Sequence, residues 1–284
     1  MALNVAAAVL PVLVFLVLLL LMDSFKLVPF RAILAAIAVG AAAAMAALGI
    51  EAWMLSAGLV PRWALSRYVG PLIEEPLKAV YIVLVLRQRR LGFLVDAALI
   101  GFAVGTGFAL VENMYYLRAL PRGGFALWLV RGFGPAIMHG AMTSLFAMLA
   151  RGLTERHPER GAMALLPALA VPVVLHSAFN HFPMPPVVQT CVLLVVLPAV
   201  VTFAFERSER ATREWVGEGM DLDVELLNLV TSPSFGQTRL GQYLVELRAR
   251  FPGPVVGDMF CLLRVELELA IRAKGLLMAR EAGL

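Results

Sequence analysis

The chain has 284 residues, 61% of them hydrophobic and only 15% charged, with a formal net charge of +4. Soluble domains carry about 25% charged residues, so this composition excludes an ordinary water-soluble globular protein. No basic stripe interleaved with aromatic residues is present, which argues against a nucleic-acid partner.

The fold class is all-α, a polytopic membrane helical bundle. A membrane helix needs about 20 apolar residues, and seven runs qualify as candidates: 5–22, 33–57, 68–86, 93–117, 126–150, 162–182 and 187–205. The first run has no basic residue ahead of it and no clear small-residue cleavage site after it, so it reads as a retained helix rather than a signal peptide.

The third run contains Glu74 and Glu75, with Lys78 one turn on. Adjacent carboxylates near hydrocarbon cost about 2.5–3.5 kcal/mol each on insertion scales, so they are expected to do chemistry or carry ions. The fourth run ends with Glu112 and Asn113, and its Gly101, Gly105 and Gly107 read as small-residue helix contacts. In the fifth, Gly132-Phe133-Gly134-Pro135 predicts an interruption with a restart at Pro135, a favoured first helical position, and His139 follows. In the sixth, His176 and Asn180 stand at i, i+4 on one face.

Charge density rises after residue 206, which divides a transmembrane region, 1–206, from a small cytoplasmic helical region, 207–284. Apolar residues at helical spacing fill 240–251 and 255–278, with Pro252-Gly253-Pro254 as a break between them. This tail packs on itself by default, and could instead lie on the bilayer or receive a cytoplasmic partner. Cys191 and Cys261 form no CxxC pair and read as small buried apolar residues without a disulfide.

Seven spans place eleven Lys and Arg residues in the short loops of one side, including Lys26, Arg31, Arg89, Arg90 and Arg160, and four on the other. The richer side is expected to be cytoplasmic, with the N-terminus outside, the C-terminus inside, and the chain in the cell inner (plasma) membrane. With that orientation, Glu74, Glu75, Glu112, His139, His176 and Asn180 all fall one to two turns below the outer surface. Agreement in depth across four helices predicts one site.

Carboxylates with imidazoles suit two routes to hydrolysis. Two His and one Glu with an open position form a catalytic zinc set, with a further Glu as base. Alternatively, one Glu activates water while His and Asn stabilise the oxyanion. No GxSxG or HExxH element is present. Other polar residues take plainer readings: His157 is solvated in a loop, His181 interfacial, Phe108 packing, and Lys78 a charge partner as readily as a participant. Asn113 caps or bridges helices, and Glu51 and Asp96 are solitary residues near helix ends.

Glu74-Glu75-x-x-Lys78, Phe108-x-x-x-Glu112-Asn113, the isolated His139 and His176-x-x-x-Asn180 together resemble PrsW-type intramembrane proteases. These are relatives of the type II CAAX prenyl endopeptidases and the bacterial CPBP group, over roughly residues 30–205. Glu112 stands where the wider group has a histidine, as in PrsW-type members. The resemblance implies that Glu74 and Glu75 activate water and that His176 and Asn180 surround the scissile carbonyl. It also implies a metalloprotease or glutamate-type peptidase acting in the lipid bilayer on a single-pass membrane protein, such as an anti-sigma factor, on the extracytoplasmic side. If zinc is bound, Glu112, His139 and His176 are the expected ligands. The rival readings are a proton- or cation-coupled transporter and a non-catalytic scaffold. Against transport, the polar residues collect on one side and no inverted repeat is evident.

Overall fold

The computed structural model describes residues 1–23, 26–88, 91–156, 163 and 165–281. His157 and Leu284, together with Arg89, Arg90 and Arg160 of the orientation count, lie outside the described residues. All regular structure among the described residues is helical.

The chain divides into two compact units, Met1–Ser208 and Glu209–Leu284. In the first, α1 (Ala2–Met22) and α2 (Phe30–Ser56) precede a short α3 (Arg62–Ala64) and a π-helical turn, Leu65–Val69. That turn runs directly into α4 (Gly70–Arg87), and α5 (Leu94–Ala119) follows. The fifth candidate run is two helices, α6 (Phe125–Phe133) and α7 (Pro135–Arg156), broken at Gly134 as its Gly-Phe-Gly-Pro sequence implies. A Cβ at Gly134 would lie 2.8 Å from the Val130 carbonyl oxygen and 2.5 Å from Thr190 Oγ1, so only glycine fits the break. α8 (Leu165–Asn180) and α9 (Pro186–Thr231) complete the order.

Among the described residues, five segments are long and apolar enough to cross a membrane: α1, α2, α5, the α6–α7 segment and α9. The remaining two of the seven expected runs fall short by this measure. α4 is loaded with Glu74, Glu75, Lys78 and Arg87. Among the described residues α8 has 16 residues, about 24 Å at 1.5 Å per residue against about 30 Å of hydrocarbon.

The core of this unit is α5, buried almost without interruption from Val95 to Ala109 and packed on α7, α2 and α1. Its glycines set the spacing. A Cβ at Gly101 would lie 2.6 Å from the Thr143 carbonyl oxygen, and one at Gly105 would overlap the His139 carbonyl, so both let α7 approach backbone to backbone. Gly107 does the same against Ile37 of α2. Lipid provides no hydrophobic drive between helices, and close backbone packing at small residues takes its place.

α9 departs from expectation, running on to Thr231 where the apolar run ends near residue 205. Its later residues include many Glu, Arg and Leu, which keep high helix propensity after hydrophobicity has gone, so composition marks the end of the apolar stretch and not the end of the helix. In the second unit a 3-10 turn, Phe235–Gln237, leads to α10 (Arg239–Leu247) and α11 (Gly253–Glu281). Thr238 caps α10, accepting from the Gly241 N–H at 3.1 Å. Phe235 packs on Phe260 at 5.2 Å between ring centroids, and Lys274 pairs with Asp223 at 2.8 Å. Both cysteines are free, as expected, but exposed rather than buried. Each falls on an outward face of its helix, which spacing along an apolar run does not reveal.

Candidate active site

α4 begins under two constraints. The π-helical turn before it widens the backbone ring, a device frequent at functional sites. Pro76 inside it removes one backbone donor. Two carbonyls of the π turn are taken by α8: Ser177 Oγ donates to Arg67 O at 2.6 Å, and Asn180 Nδ2 donates to Ser66 O at 2.9 Å. These bonds latch the end of α8 to the start of α4 and so fix His176 against the paired glutamates. Asn180, expected beside a scissile carbonyl, thus holds backbone one turn from His176.

The paired glutamates have unlike surroundings. Glu75 is buried and fully engaged: its Oε1 accepts from Lys78 Nζ at 2.6 Å and from His176 Nδ1 at 2.7 Å. Glu74 is partly buried, and its Oε2 has no hydrogen-bond partner among the described residues. That oxygen lies 3.8 Å from His139 Nδ1 and 4.0 Å from His176 Nε2.

The two imidazoles face each other edge to face, with ring centroids 5.0 Å apart, and both are buried. Their partners assign the ring protons. The Glu75 carboxylate only accepts, so His176 Nδ1 carries hydrogen and its Nε2 lone pair turns toward Glu74. Lys78 Nζ donates to His139 Nδ1 at 3.2 Å, which leaves the proton on Nε2 to donate to Glu112 Oε2 at 3.1 Å. Each histidine therefore rests on a carboxylate, and each carboxylate on a cation: Lys78 beside Glu75, and Arg131 Nη2 at 3.2 Å from Glu112 Oε2. Phe108 packs on His139 at 4.9 Å between ring centroids, and the Lys78 ammonium lies 4.7 Å from the same phenyl ring.

Five of the six expected site residues, from α4, α5, α7 and α8, thus meet in one cluster. The metal set differs in one member from expectation. Glu74, His139 and His176 offer one ligand atom each, all within 4.8 Å of one another, whereas Glu112 turns to Arg131 and to the far side of the His139 ring. Sequence reading passed over two further residues. Glu51, near the C-terminal end of α2 and solitary as read from the sequence, is an electrostatic neighbour of Glu74 and Glu112. Arg131 lies inside the fifth run, where a charge is as costly as the glutamates and is an equal signal. A separate cavity of about 360 Å³ lies between α1 and α6, lined by Ala7, Pro11, Phe15, Leu129 and Phe133 among others; it is apolar and contains none of the cluster.

No curated protein and no solved structure matches the chain. A family model does, over residues 28–205, well over half of its length and all of the helices that supply the cluster. Its apolar helices fit a multi-pass membrane protein, and the chain belongs to the PrsW family of intramembrane metalloproteases, peptidases of the membrane.

Proposed function

We propose that this protein hydrolyses a peptide bond of a single-pass membrane protein near the outer leaflet, with Glu74 as the reacting carboxylate. The observation that carries this is the unpartnered, buried Oε2 of Glu74 between two imidazole nitrogens. A buried carboxylate oxygen is normally satisfied, and here the groups around it are those that hold and deprotonate water. Glu74 takes the proton of a water lodged against His176 Nε2 as that water attacks the scissile carbonyl, then returns it to the departing amine. Glu75 does not exchange protons in this scheme; it keeps His176 in the tautomer that presents Nε2. The outer-leaflet position rests on the basic-residue asymmetry, and the anti-sigma-factor type of substrate on the family alone.

The residues present also fit a metal. One carboxylate and two imidazoles converge, and each ring has a carboxylate behind it, the usual support of a histidine ligand. Zinc bound there would acidify a water and polarise the carbonyl. Glu74, His139 and His176 would hold it, and Lys78 would first have to release His139 Nδ1.

The test is cleavage of a single-pass substrate in proteoliposomes by the parent, Glu74→Gln and Glu75→Gln, with metal content measured on each. A positioned base contributes about 10²–10⁴-fold, so Glu74→Gln is expected to lose at least a hundredfold while remaining folded. Near-parent cleavage by Glu74→Gln would sink the proposal. Exhaustive chelation divides the two routes, since activity that survives it with no metal bound leaves glutamate-activated water.

A further inference from the structure

Arg131 belongs to none of the motifs that identify the family resemblance, yet three side chains engage it beside the cluster. Its Nη2 stands 3.2 Å from Glu112 Oε2 as an ion pair, although not aligned as a hydrogen bond. Its Nε donates to Asn113 Oδ1 at 3.1 Å. Its guanidinium covers the Tyr116 ring, with Cζ 3.9 Å from the centroid. Asn113 in turn donates from Nδ2 to the Ala8 carbonyl oxygen of α1 at 2.7 Å. The next residue in α6, Gly132, packs so closely on Ala7 that a Cβ would overlap its carbonyl. Side-chain and backbone contacts therefore converge on the same turn of α1, a helix outside the family match.

We infer that Arg131 is a positioning residue for His139, and that Asn113 and α1 hold it in place. The physical sequence is short. The guanidinium keeps Glu112 where it accepts from His139 Nε2–H at 3.1 Å. With the proton held on Nε2, the lone pair of Nδ1 faces Lys78 and Glu74. Without Arg131, Glu112 has a freer choice of rotamer and His139 loses one of the two contacts that select its tautomer, keeping only Lys78 at Nδ1. Tyr116 and Asn113 restrict the guanidinium from the sides, which favours its planar, forked shape over an ammonium. The inference rests on the proposed hydrolytic role of the cluster but is the same with or without a metal.

The chain has only four histidines, so nitrogen NMR of ¹⁵N-histidine-labelled protein in lipid can read the His139 tautomer directly, assigned by loss of its signals in His139→Gln. The parent is expected to show protonated Nε2 and bare Nδ1; any other tautomer overturns the inference, whatever the variants do. Arg131→Met is expected to mix the tautomers and lower kcat by about 10–100-fold, the usual effect of removing a group behind a functional histidine, with KM unchanged. Arg131→Lys, which keeps the charge, should recover part of the loss. Asn113→Ala should act in the same direction but more weakly. A residue serving only stability would lower the unfolding temperature while leaving kcat per folded molecule and the tautomer as in the parent, and that result for Arg131→Met overturns the inference. Glu74→Gln runs alongside: if it is inactive while Arg131→Met matches the parent, the positioning role alone fails. If Glu74→Gln cleaves normally, the hydrolytic reading fails and takes this role with it.

Discussion

Glu74 and Glu75 are neighbours in sequence and opposites in surroundings, and the difference lies in the cations and imidazoles that each meets. Glu75 sits in a closed set with Lys78 and His176, all buried. Breaking such a pair leaves an uncompensated buried charge, at a cost of about 3–5 kcal/mol. Glu75→Gln is therefore expected to lower thermal stability by that order, whereas Glu74→Gln, which removes no partner from Oε2, should unfold much as the parent does. Differential scanning fluorimetry in detergent compares them, and equal destabilisation of the two would contradict the division of labour. Lys78 has a second consequence, because the ammonium and a metal ion compete for the one lone pair on His139 Nδ1. Lys78→Met should bind Co²⁺ more tightly than the parent by optical titration, and the gain should vanish when His139 is also replaced. Binding no tighter than in the parent would show that Lys78 does not occupy the ligand position. The sequence makes both carboxylates visible as costly groups; it does not say which is spent on structure, because that is decided by helix phase after a π turn, which no motif announces.

At the scale of the elements, the helix break at Gly134-Pro135 and the small-residue contacts of α5 are readable from residue type alone, since glycine and proline act through backbone geometry that travels with them. The reach of α9 to Thr231 is not readable, because hydropathy reports the solvent of a helix and not its length. The role of Asn180 is also concealed. Its i, i+4 spacing from His176 puts it on the correct face, but what it meets is the π turn of another segment. Two outcomes separate the roles. A latch to a backbone carbonyl contributes about 0.5–1.5 kcal/mol, and a donor to a developing oxyanion about 10²–10³-fold in kcat. Asn180→Ala is expected to behave as a latch: a small drop in unfolding temperature and a loss of activity under tenfold, deepened when Ser177→Ala removes the companion bond to Arg67 O. A loss above a hundredfold in a folded Asn180→Ala protein would return Asn180 to the reacting centre.

For the whole molecule, every residue of the cluster lies within Met1–Ser208, and the sidedness of the chemistry follows from which way that unit threads the bilayer. Orientation is set by Lys and Arg near the ends of spans, because translocating them is unfavourable. Four basic residues on one side against eleven on the other is the asymmetry on which the proposed extracytoplasmic position of Glu74 and Glu75, at the mouth of α4, rests. The count takes all seven runs as crossing; α4 and α8, short or charged as membrane helices, both supply the cluster, and their shared latch at Ser66 and Arg67 keeps those ends together whether or not each crosses fully. A fusion that is fluorescent only in the cytoplasm is therefore expected to light up at the C-terminus, and alkaline phosphatase at the same point to remain silent. Cysteine labelling of Arg62→Cys, just ahead of the π turn, should succeed from outside intact cells; with Cys191 and Cys261 both exposed, it needs a background in which these are serine. An active phosphatase fusion together with a protected position 62 would invert the molecule, moving the cleavage site to the cytoplasmic leaflet and excluding substrates whose scissile bond lies outside.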